Sequence, residues 1–269
     1  MRIYIMTDME AASGSLWGGY GLPQSGEGDR SLRYMSGEIN AAIAGAKAGG
    51  AEEVHVFEVG HHPFVADVIS ETYTRSTDMF AVRDMDGLMF VGQHGPAGVR
   101  DGVLSHCSCG KTVMSLRVNG HNVGEMGLFA GYAGHFDVPT LMVAGDRSVA
   151  RETEDLIGDT EIACVTEGLG NNTAICLAPK AAQRLVYEKA KAGVRRASAI
   201  APMTMTPPLN VEYRVTYCVI ADSLERLPGV RRKDERTVEY TCENWLELHE
   251  MFHITVMAQQ FWDSRIASC

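Results

Sequence analysis

Short apolar segments alternate with segments of helical periodicity along this chain, and that alternation constrains its fold more than any other feature. Residues 2–7 are a short apolar run that predicts a buried strand, and residues 53–59 (EVHVFEV) predict a second strand. Between them Met35, Ile39 and Ile43 recur at the spacing of one helix face. Further runs that predict strands occur at 79–83, 87–92 and 139–145. Regular alternation of strands and helices predicts an α/β fold, with a mixed sheet flanked by helices.

A proline-rich stretch divides the chain into two unequal parts. Residues 201–209 contain three of the nine prolines, which is typical of a linker. We therefore predict a larger α/β domain at 1–200 and a small C-terminal α/β segment at 201–269.

The charge balance and the apolar content restrict the partners that we expect. Lys and Arg number 24 and Asp and Glu number 34, which gives a net charge of −10 and disfavours nucleic acid as the main partner. No apolar run reaches about 18 residues, so we expect no transmembrane helix and no membrane partner. The first apolar run stops at Asp8, which is too short for a signal peptide. The seven cysteines include no CxxC pair, and we expect a reducing, cytoplasmic location.

Side chains that can bind a metal follow the predicted strands at the points where the strands end. They are Asp8 and Glu10 after the first strand, His61 and His62 after the second, His94 after the run at 87–92, His106 in the next loop, and Glu125 at the start of a predicted helix. Sites in α/β sheets form at the carboxyl ends of strands, so we expect these side chains to converge. Each alone would more often be a helix cap, a loop residue or a solvated acid. Their shared position favours a metal site in the larger domain.

Carboxylates and imidazoles are the ligands that zinc and similar divalent ions take. Three or four ligands suffice for one ion, and five could hold two ions if one carboxylate bridges them. Two ions about 3.5–4 Å apart would hold a hydroxide and polarise an amide carbonyl. This hypothesis describes a dinuclear metal-dependent hydrolase.

A second motif offers an alternative zinc site near the end of the chain. Residues 249–253 read HEMFH, which matches HExxH and would put His249 and His253 on one helix face with Glu250 as the base. A zincin also needs a third ligand downstream, where only Asp263 and Cys269 follow. The competing interpretation is a pair of packed histidines on an amphipathic helix.

Several blocks together resemble one known family. They are TDMEA at 7–11, VGQH at 91–94, GVLSH at 102–106, VGEMGL at 123–128 and FDVPTLMVAGD at 136–146. The chain resembles the dinuclear-zinc D-aminopeptidase family of the dipeptide-transport-operon type. This resemblance covers most of the chain.

The resemblance implies an enzyme that cleaves an amide bond and assembles as a ring-shaped, self-compartmentalising homo-oligomer, such as a decamer. It implies two Zn²⁺ per chain, or another divalent metal, with the following ligands: Asp8, which would bridge the two ions, Glu10, His61, His94 and Glu125. It also implies that His106 is a catalytic side chain, which would pass a proton to the leaving amine or stabilise the oxyanion.

The chain departs from the family pattern around the implied site. EVGH at 58–61 replaces the usual NDSH, and His62 follows directly, so either His61 or His62 could be the ligand. Phe129 stands where the family often has Asn, and Thr166 with Asn171 or Asn172 replaces two basic residues. These changes suggest a small, rather apolar amide as substrate, or a peptide with an N-terminal D-amino acid. A second hypothesis is a binding or assembly module that keeps the fold without the chemistry.

Overall fold

The computed structural model describes residues 1–15, 27–59, 72–76, 80–108 and 112–266. Within these residues the strands are β1 (Arg2–Thr7), β2 (Glu53–Val59), β3 (Thr72–Ser76), β4 (Gly87–Gln93), β5 (Val113–Val118), β6 (His121–Asn122), β7 (Thr140–Asp146), β8 (Glu161–Gly170), β9 (Thr173–Cys176), β10 (Leu209–Val215), β11 (Arg231–Arg232) and β12 (Thr237–Cys242). The α-helices in the same ranges are α1 (Glu27–Gly49), α2 (Glu125–His135), α3 (Arg147–Leu156), α4 (Pro179–Arg195), α5 (Cys218–Leu224) and α6 (Trp245–Ile266).

A seven-stranded sheet forms the centre of the protein. Its strand order is β3-β2-β1-β4-β7-β8-β9. All neighbours pair in parallel except β8 and β9, which form an antiparallel pair. The structure therefore confirms the predicted α/β fold with a mixed sheet flanked by helices.

Both faces of this sheet are buried, and the two faces contribute to different cores. Ile3 and Ile5 of β1 belong to a cluster that contains Met35 of α1 and Val186 of α4. Tyr4, which points to the opposite face because side chains alternate along a strand, belongs to a second cluster. That second cluster also includes residues of α2, α6 and the smaller sheet. Burial on both faces explains why β1 and β4 are nearly continuous apolar runs.

A second, five-stranded antiparallel sheet has the order β11-β12-β10-β5-β6. It combines strands from both sides of residue 200, because β10 pairs with β12 on one edge and with β5 on the other. The division of the chain at residue 200 stays a prediction, and a test of it must account for this shared sheet.

The predicted strand at 79–83 is wrong. Residues Phe80–Asp84 form a turn of 3₁₀-helix, closed by a hydrogen bond from the Met85 amide to the Val82 carbonyl. Val82 is buried in the core while Arg83 and Asp84 are exposed, so the segment contributes to the core without adding a strand to the sheet.

No helix in the described ranges combines the length and the apolar character that crossing a membrane requires.

A buried carboxyl group on α1 leads to a prediction about pH. Glu38 is buried, its Oε1 accepts the Ser13 amide at 2.8 Å, and its Oε2 has no hydrogen-bond partner in the described structure. Burial raises the pKa of Glu38 from 4.5 to about 8. At a pH between these two pKa values the unfolded chain has lost the Glu38 proton while the folded protein keeps it. The folded state therefore loses stability as the pH rises through this range.

We therefore expect Glu38→Gln to gain stability over the unsubstituted protein as the pH rises. The difference in free energy of unfolding between the two proteins should shift in favour of Glu38→Gln by on the order of 2–4 kcal/mol from pH 5 to pH 8. Glutamine keeps the acceptor for the Ser13 amide and does not ionise. Urea unfolding of both proteins at the two pH values measures the effect. An equal stability difference at pH 5 and pH 8 would contradict this prediction.

Candidate metal centre

The loop after β1 brings two carboxylates to one point. The Met9 amide lies 2.8 Å from Asp8 Oδ1 and 3.2 Å from Glu10 Oε2, so one N–H holds both side chains. Both carboxylates are buried. The Asp8 amide donates to the Val91 carbonyl at 2.8 Å, which continues the β1–β4 ladder beyond the end of the strand.

A glycine of β4 makes this close approach possible. Gly92 has a φ of +83°, and a Cβ atom at this position would lie 1.9 Å from the Asp8 carbonyl oxygen. Pairing of β4 with β7 also changes register between Phe90 and Gln93, which is the mark of a bulge. Because Gly92 lacks a side chain, the backbone of Asp8 can lie against β4 while the bulge turns the chain toward His94.

His94 follows β4 directly and points one ring nitrogen at the carboxylates. Its Nδ1 lies 2.9 Å from the Gly95 carbonyl oxygen, which can only accept, so Nδ1 carries the proton. Its Nε2 then presents a lone pair 3.5 Å from Asp8 Oδ2 and 3.8 Å from Glu125 Oε1. The His94 side chain is 1% exposed.

Glu125 reaches the same point from the first residue of α2. Its Oε1 accepts the Ser108 amide at 2.7 Å. A carboxylate at this position also interacts favourably with the positive end of the helix dipole. The residue before it, Gly124, has no side chain to cap the helix.

His106 completes the cluster from the loop between β4 and β5. Its Nδ1 donates to the Leu104 carbonyl at 2.7 Å, and its Nε2 lies 3.6 Å from Glu125 Oε1. The His106 and His94 rings stack with centroids 4.2 Å apart and an interplanar angle of 17°. The His106 side chain is 22% exposed, so it is open to solvent where His94 is not.

Asp146 and Asn171 hold the His106 loop in place, and the sequence analysis gave neither residue this role. Asp146 Oδ2 accepts the Val103 amide at 2.8 Å while its Oδ1 caps α3 through Val149. The Asn171 carbonyl accepts the amide of Leu104, whose φ of +45° is uncommon for a residue with a side chain. The spacing of Asp146 and Val149 could have indicated the helix cap, but not the bond to the loop.

The electrostatics of the cluster favour a bound cation. Burial, the nearby Glu10 carboxylate and the Glu125 carboxylate raise the pKa of Asp8 well above its ordinary value. Asp8 Oδ2 and His94 Nε2 are both buried and have no hydrogen-bond partner in the described structure. Two ligand atoms on one tetrahedral zinc ion would be about 3.4 Å apart, and these two atoms are 3.5 Å apart. The donor set therefore fits a divalent metal.

The cluster contains two overlapping groups of metal-capable side chains within the described residues. One group is Asp8, Glu10 and His94, and the other is His94, His106 and Glu125, with ligand atoms within 4.8 Å of one another in each. The sequence expectation that Asp8, Glu10, His94 and Glu125 converge agrees with this geometry. His61 and His62 lie outside the described residues, so a histidine ligand from that segment stays a prediction.

The HExxH histidines pack inside the protein instead of forming such a group. His249 is buried and stacks on Tyr132 with ring centroids 4.1 Å apart. Burial and the nearby His253 lower the pKa of His249 to about 4. In the part of the chain that the structure describes, no third metal-capable side chain joins this pair.

Comparison with known proteins identifies the family. The model of the Peptidase_M55 family, described as D-aminopeptidase, matches residues 1–254. The chain belongs to this D-aminopeptidase family. The resemblance found in the sequence blocks is thereby confirmed.

Two relatives agree with this membership. A D-aminopeptidase of Bacillus subtilis (strain 168) is 31% identical over 283 residues, which cover 97% of this chain and 98% of the relative. The solved structure of the Zn-dependent D-aminopeptidase DppA from Bacillus subtilis, described as a self-compartmentalizing protease, superposes with a TM-score of 0.83. It is 27% identical to this chain, and the match covers 96% of this chain and 97% of that one.

Three of the residues that depart from the family blocks have contacts in the described part of this D-aminopeptidase family member. Phe129 is partly buried and meets His249 edge to face at 6.2 Å. Thr166 is buried, and its hydroxyl donates to the Ala11 carbonyl at 3.2 Å. The Asn171 side chain donates to Ser105 Oγ at 3.0 Å. These contacts support the site loops, and an effect of the three residues on substrate choice stays a prediction.

Proposed function

We propose that this chain is a zinc-dependent aminopeptidase or amidohydrolase that cleaves the amide bond of a small, rather apolar amide or of a peptide with an N-terminal D-amino acid. The observation that carries the proposal is the convergence of Asp8 Oδ2, His94 Nε2 and Glu125 Oε1, because the two buried atoms, Asp8 Oδ2 and His94 Nε2, have no hydrogen-bond partner in the described structure. Such a set of ligand atoms fits a divalent cation.

We propose two zinc ions per chain, held by Asp8, Glu10, His94 and Glu125 together with His61 or His62. Two overlapping groups of metal-capable side chains support this number. The family and the zinc dependence of the Bacillus subtilis structure support the identity of the metal. When bound, zinc would lower the pKa of a water molecule and polarise the substrate carbonyl.

His106 is proposed as the catalytic acid. Its Nδ1 is fixed by the Leu104 carbonyl, so the ring cannot turn freely and Nε2 stays directed at the cluster. Its partial exposure gives a substrate access to that nitrogen. A protonated Nε2 there could donate to the leaving amine or to the developing oxyanion.

We also propose a ring-shaped homo-oligomer in the cytoplasm. Support for assembly comes from the self-compartmentalizing relative and from exposed apolar side chains, among them Leu169, Ile175 and Met257. Support for the location comes from the cysteines of the described residues, which are free thiols.

Metal analysis and metal removal test the proposed function. Protein prepared without chelator should contain about two zinc ions per chain, and a chelator should lower hydrolysis of D-amino acid amides by about 100-fold or more. Added zinc should restore the rate. Protein that contains no metal and hydrolyses nothing in a panel of D-amino acid, L-amino acid and aryl amides would instead support the binding or assembly module.

His253→Ala separates this proposal from the zincin alternative. The variant should keep both metal and turnover, because His253 packs against His249 on α6 and lies outside the metal-capable groups of the described residues. Loss of metal and activity in a folded His253→Ala protein would favour the zincin.

A further inference from the structure

The helix that carries Glu125 begins without a cap of its own. Gly124 occupies the position where Ser, Thr, Asp or Asn usually accepts the first amides of a helix, and it makes no side-chain cap. Those amides are instead satisfied by a residue of another helix. Glu152 of α3 accepts the Gly124 amide at 2.6 Å and the Gly127 amide at 3.3 Å, both through Oε1.

The local sequence of α2 leaves space for this carboxylate. A Cβ atom at Gly127 would lie 2.8 Å from Glu152 Oε1, and one at Gly124 would lie 3.1 Å from Oε2. Glu152 is 5% exposed, and its Oε2 has no hydrogen-bond partner in the described structure. Burial of a carboxyl group costs free energy unless the group is hydrogen-bonded. The two amides that Glu152 accepts offset this cost, and they point to a positioning role for Glu152 at the start of α2.

Helix α3 also holds the other half of the cluster. It begins after Asp146, whose side chain fixes the Val103 amide in the loop that carries His106. The same short helix therefore contacts both the His106 loop and the start of α2. His106 Nε2 and Glu125 Oε1, which these two segments carry, lie 3.6 Å apart.

We propose that Glu152 is a positioning residue that caps α2 from α3 and thereby orients the Glu125 carboxylate for metal binding. This inference rests on the proposed function, because it assigns Glu125 to the metal. Glu152 itself is not a ligand in this proposal.

Substitutions at Glu152 can separate hydrogen bonding from volume and charge. Glu152→Gln keeps the acceptor oxygen, whereas Glu152→Met keeps the volume and removes the acceptor. Thr153→Val is the matched control, since Thr153 is also buried on α3 but its hydroxyl bonds only the Val149 carbonyl of its own helix, at 2.7 Å. The measurement is Zn²⁺ affinity of the metal-free proteins by chelator competition, with the visible spectrum of bound Co²⁺ as a second readout.

We expect Glu152→Met to bind Zn²⁺ about 10–100-fold more weakly and to change the Co²⁺ spectrum. Glu152→Gln should stay within about threefold of the unsubstituted protein, because it retains the cap. Thr153→Val should lose thermal stability and keep its metal affinity. If Glu152→Met does not fold, Glu152→Asp carries the test, since its carboxylate is too short to reach Gly124 and the same loss is expected.

Unchanged affinity in folded Glu152→Met would overturn the positioning role. So would an equal loss in Glu152→Gln, because the acceptor is intact there. Failure of the underlying function gives a different result: the unsubstituted protein itself would bind neither Zn²⁺ nor Co²⁺.

Discussion

Asp8→Ala is expected to lose zinc and to lower amide hydrolysis by at least about 1,000-fold. Asp8 is the residue proposed to bridge the two ions, and it lies 3.5 Å from His94 Nε2 with an unpartnered oxygen. Removing it takes away the negative charge that the cluster offers to a cation. Zinc content by elemental analysis and turnover of a D-amino acid amide measure the two effects.

A substitution that removes the Asp8 charge and keeps its size should not weaken the metal-free fold. Burial and the Glu10 carboxylate raise the pKa of Asp8, so an ionised Asp8 is unfavourable when no cation is present. Asp8→Asn, which keeps the size, should therefore match or exceed the stability of the metal-free protein at pH 8 and still fail to bind zinc.

Asp86→Ala is the matched control for Asp8. Asp86 is exposed, and its carboxylate accepts the Arg2 amide at 2.6 Å, at the other end of β1. This variant should keep zinc and turnover. Full zinc content with normal turnover in Asp8→Ala would contradict the proposed metal centre.

His106→Ala is expected to keep its zinc and to lower kcat by about 100- to 10,000-fold. The geometry gives His106 and His94 the same pattern, a proton on Nδ1 held by a carbonyl and a free Nε2 near Glu125. Exposure separates them, since His94 is closed to solvent and His106 is open. We therefore propose the ligand role for His94 and the proton-transfer role for His106.

Parallel measurements on His94→Ala and His121→Ala complete the test. His94→Ala should lose zinc together with activity, whereas His121→Ala should keep both. His121 is exposed and pairs with Asp155 at 2.7 Å, so it controls for the loss of a histidine as such. If His106→Ala loses zinc to the same extent as His94→Ala, His106 is a ligand and the proposed catalytic assignment is wrong.

The main features of the fold could be predicted from local patterns. Apolar runs of strand length predicted β1, β4 and β7, because strands buried on both faces have no polar alternation. The run at 79–83 failed for a reason that no local pattern contains. The segment closes into a turn of 3₁₀-helix and buries Val82 in the core, and whether a short apolar run pairs as a strand or packs in this way depends on its tertiary contacts.

The members of the candidate site could be selected from the sequence because most of them follow strands. Asp8 and His94 come directly after β1 and β4, which are parallel neighbours, so their ends meet at one edge of the sheet. Glu125 and His106 belong to a helix start and a loop, and their distances to that edge follow from packing. The family resemblance added their roles, and the structure supplied the separations.

Glu152 and Asp146 mark what sequence reasoning missed. Glu152 lies 28 residues from the Gly124 amide that it accepts. In the sequence of α3 it is one of several acidic residues among polar neighbours, so nothing local marks its role. A cap between two helices leaves no fixed spacing in the chain, unlike a cap at the start of the same helix. Asp146 has such a spacing to Val149, yet its bond to Val103 depends on how the loop folds back.

The sequence by itself determined the alternation of strands and helices and the chemical types that follow the strands, because these depend on local periodicity and on residue identity. The tertiary structure decided which donors share one point, which histidine is closed to solvent and how α2 is capped. Those properties depend on atoms brought together from distant parts of the chain, and buried ligand atoms without a hydrogen-bond partner can be identified only when their separations are known.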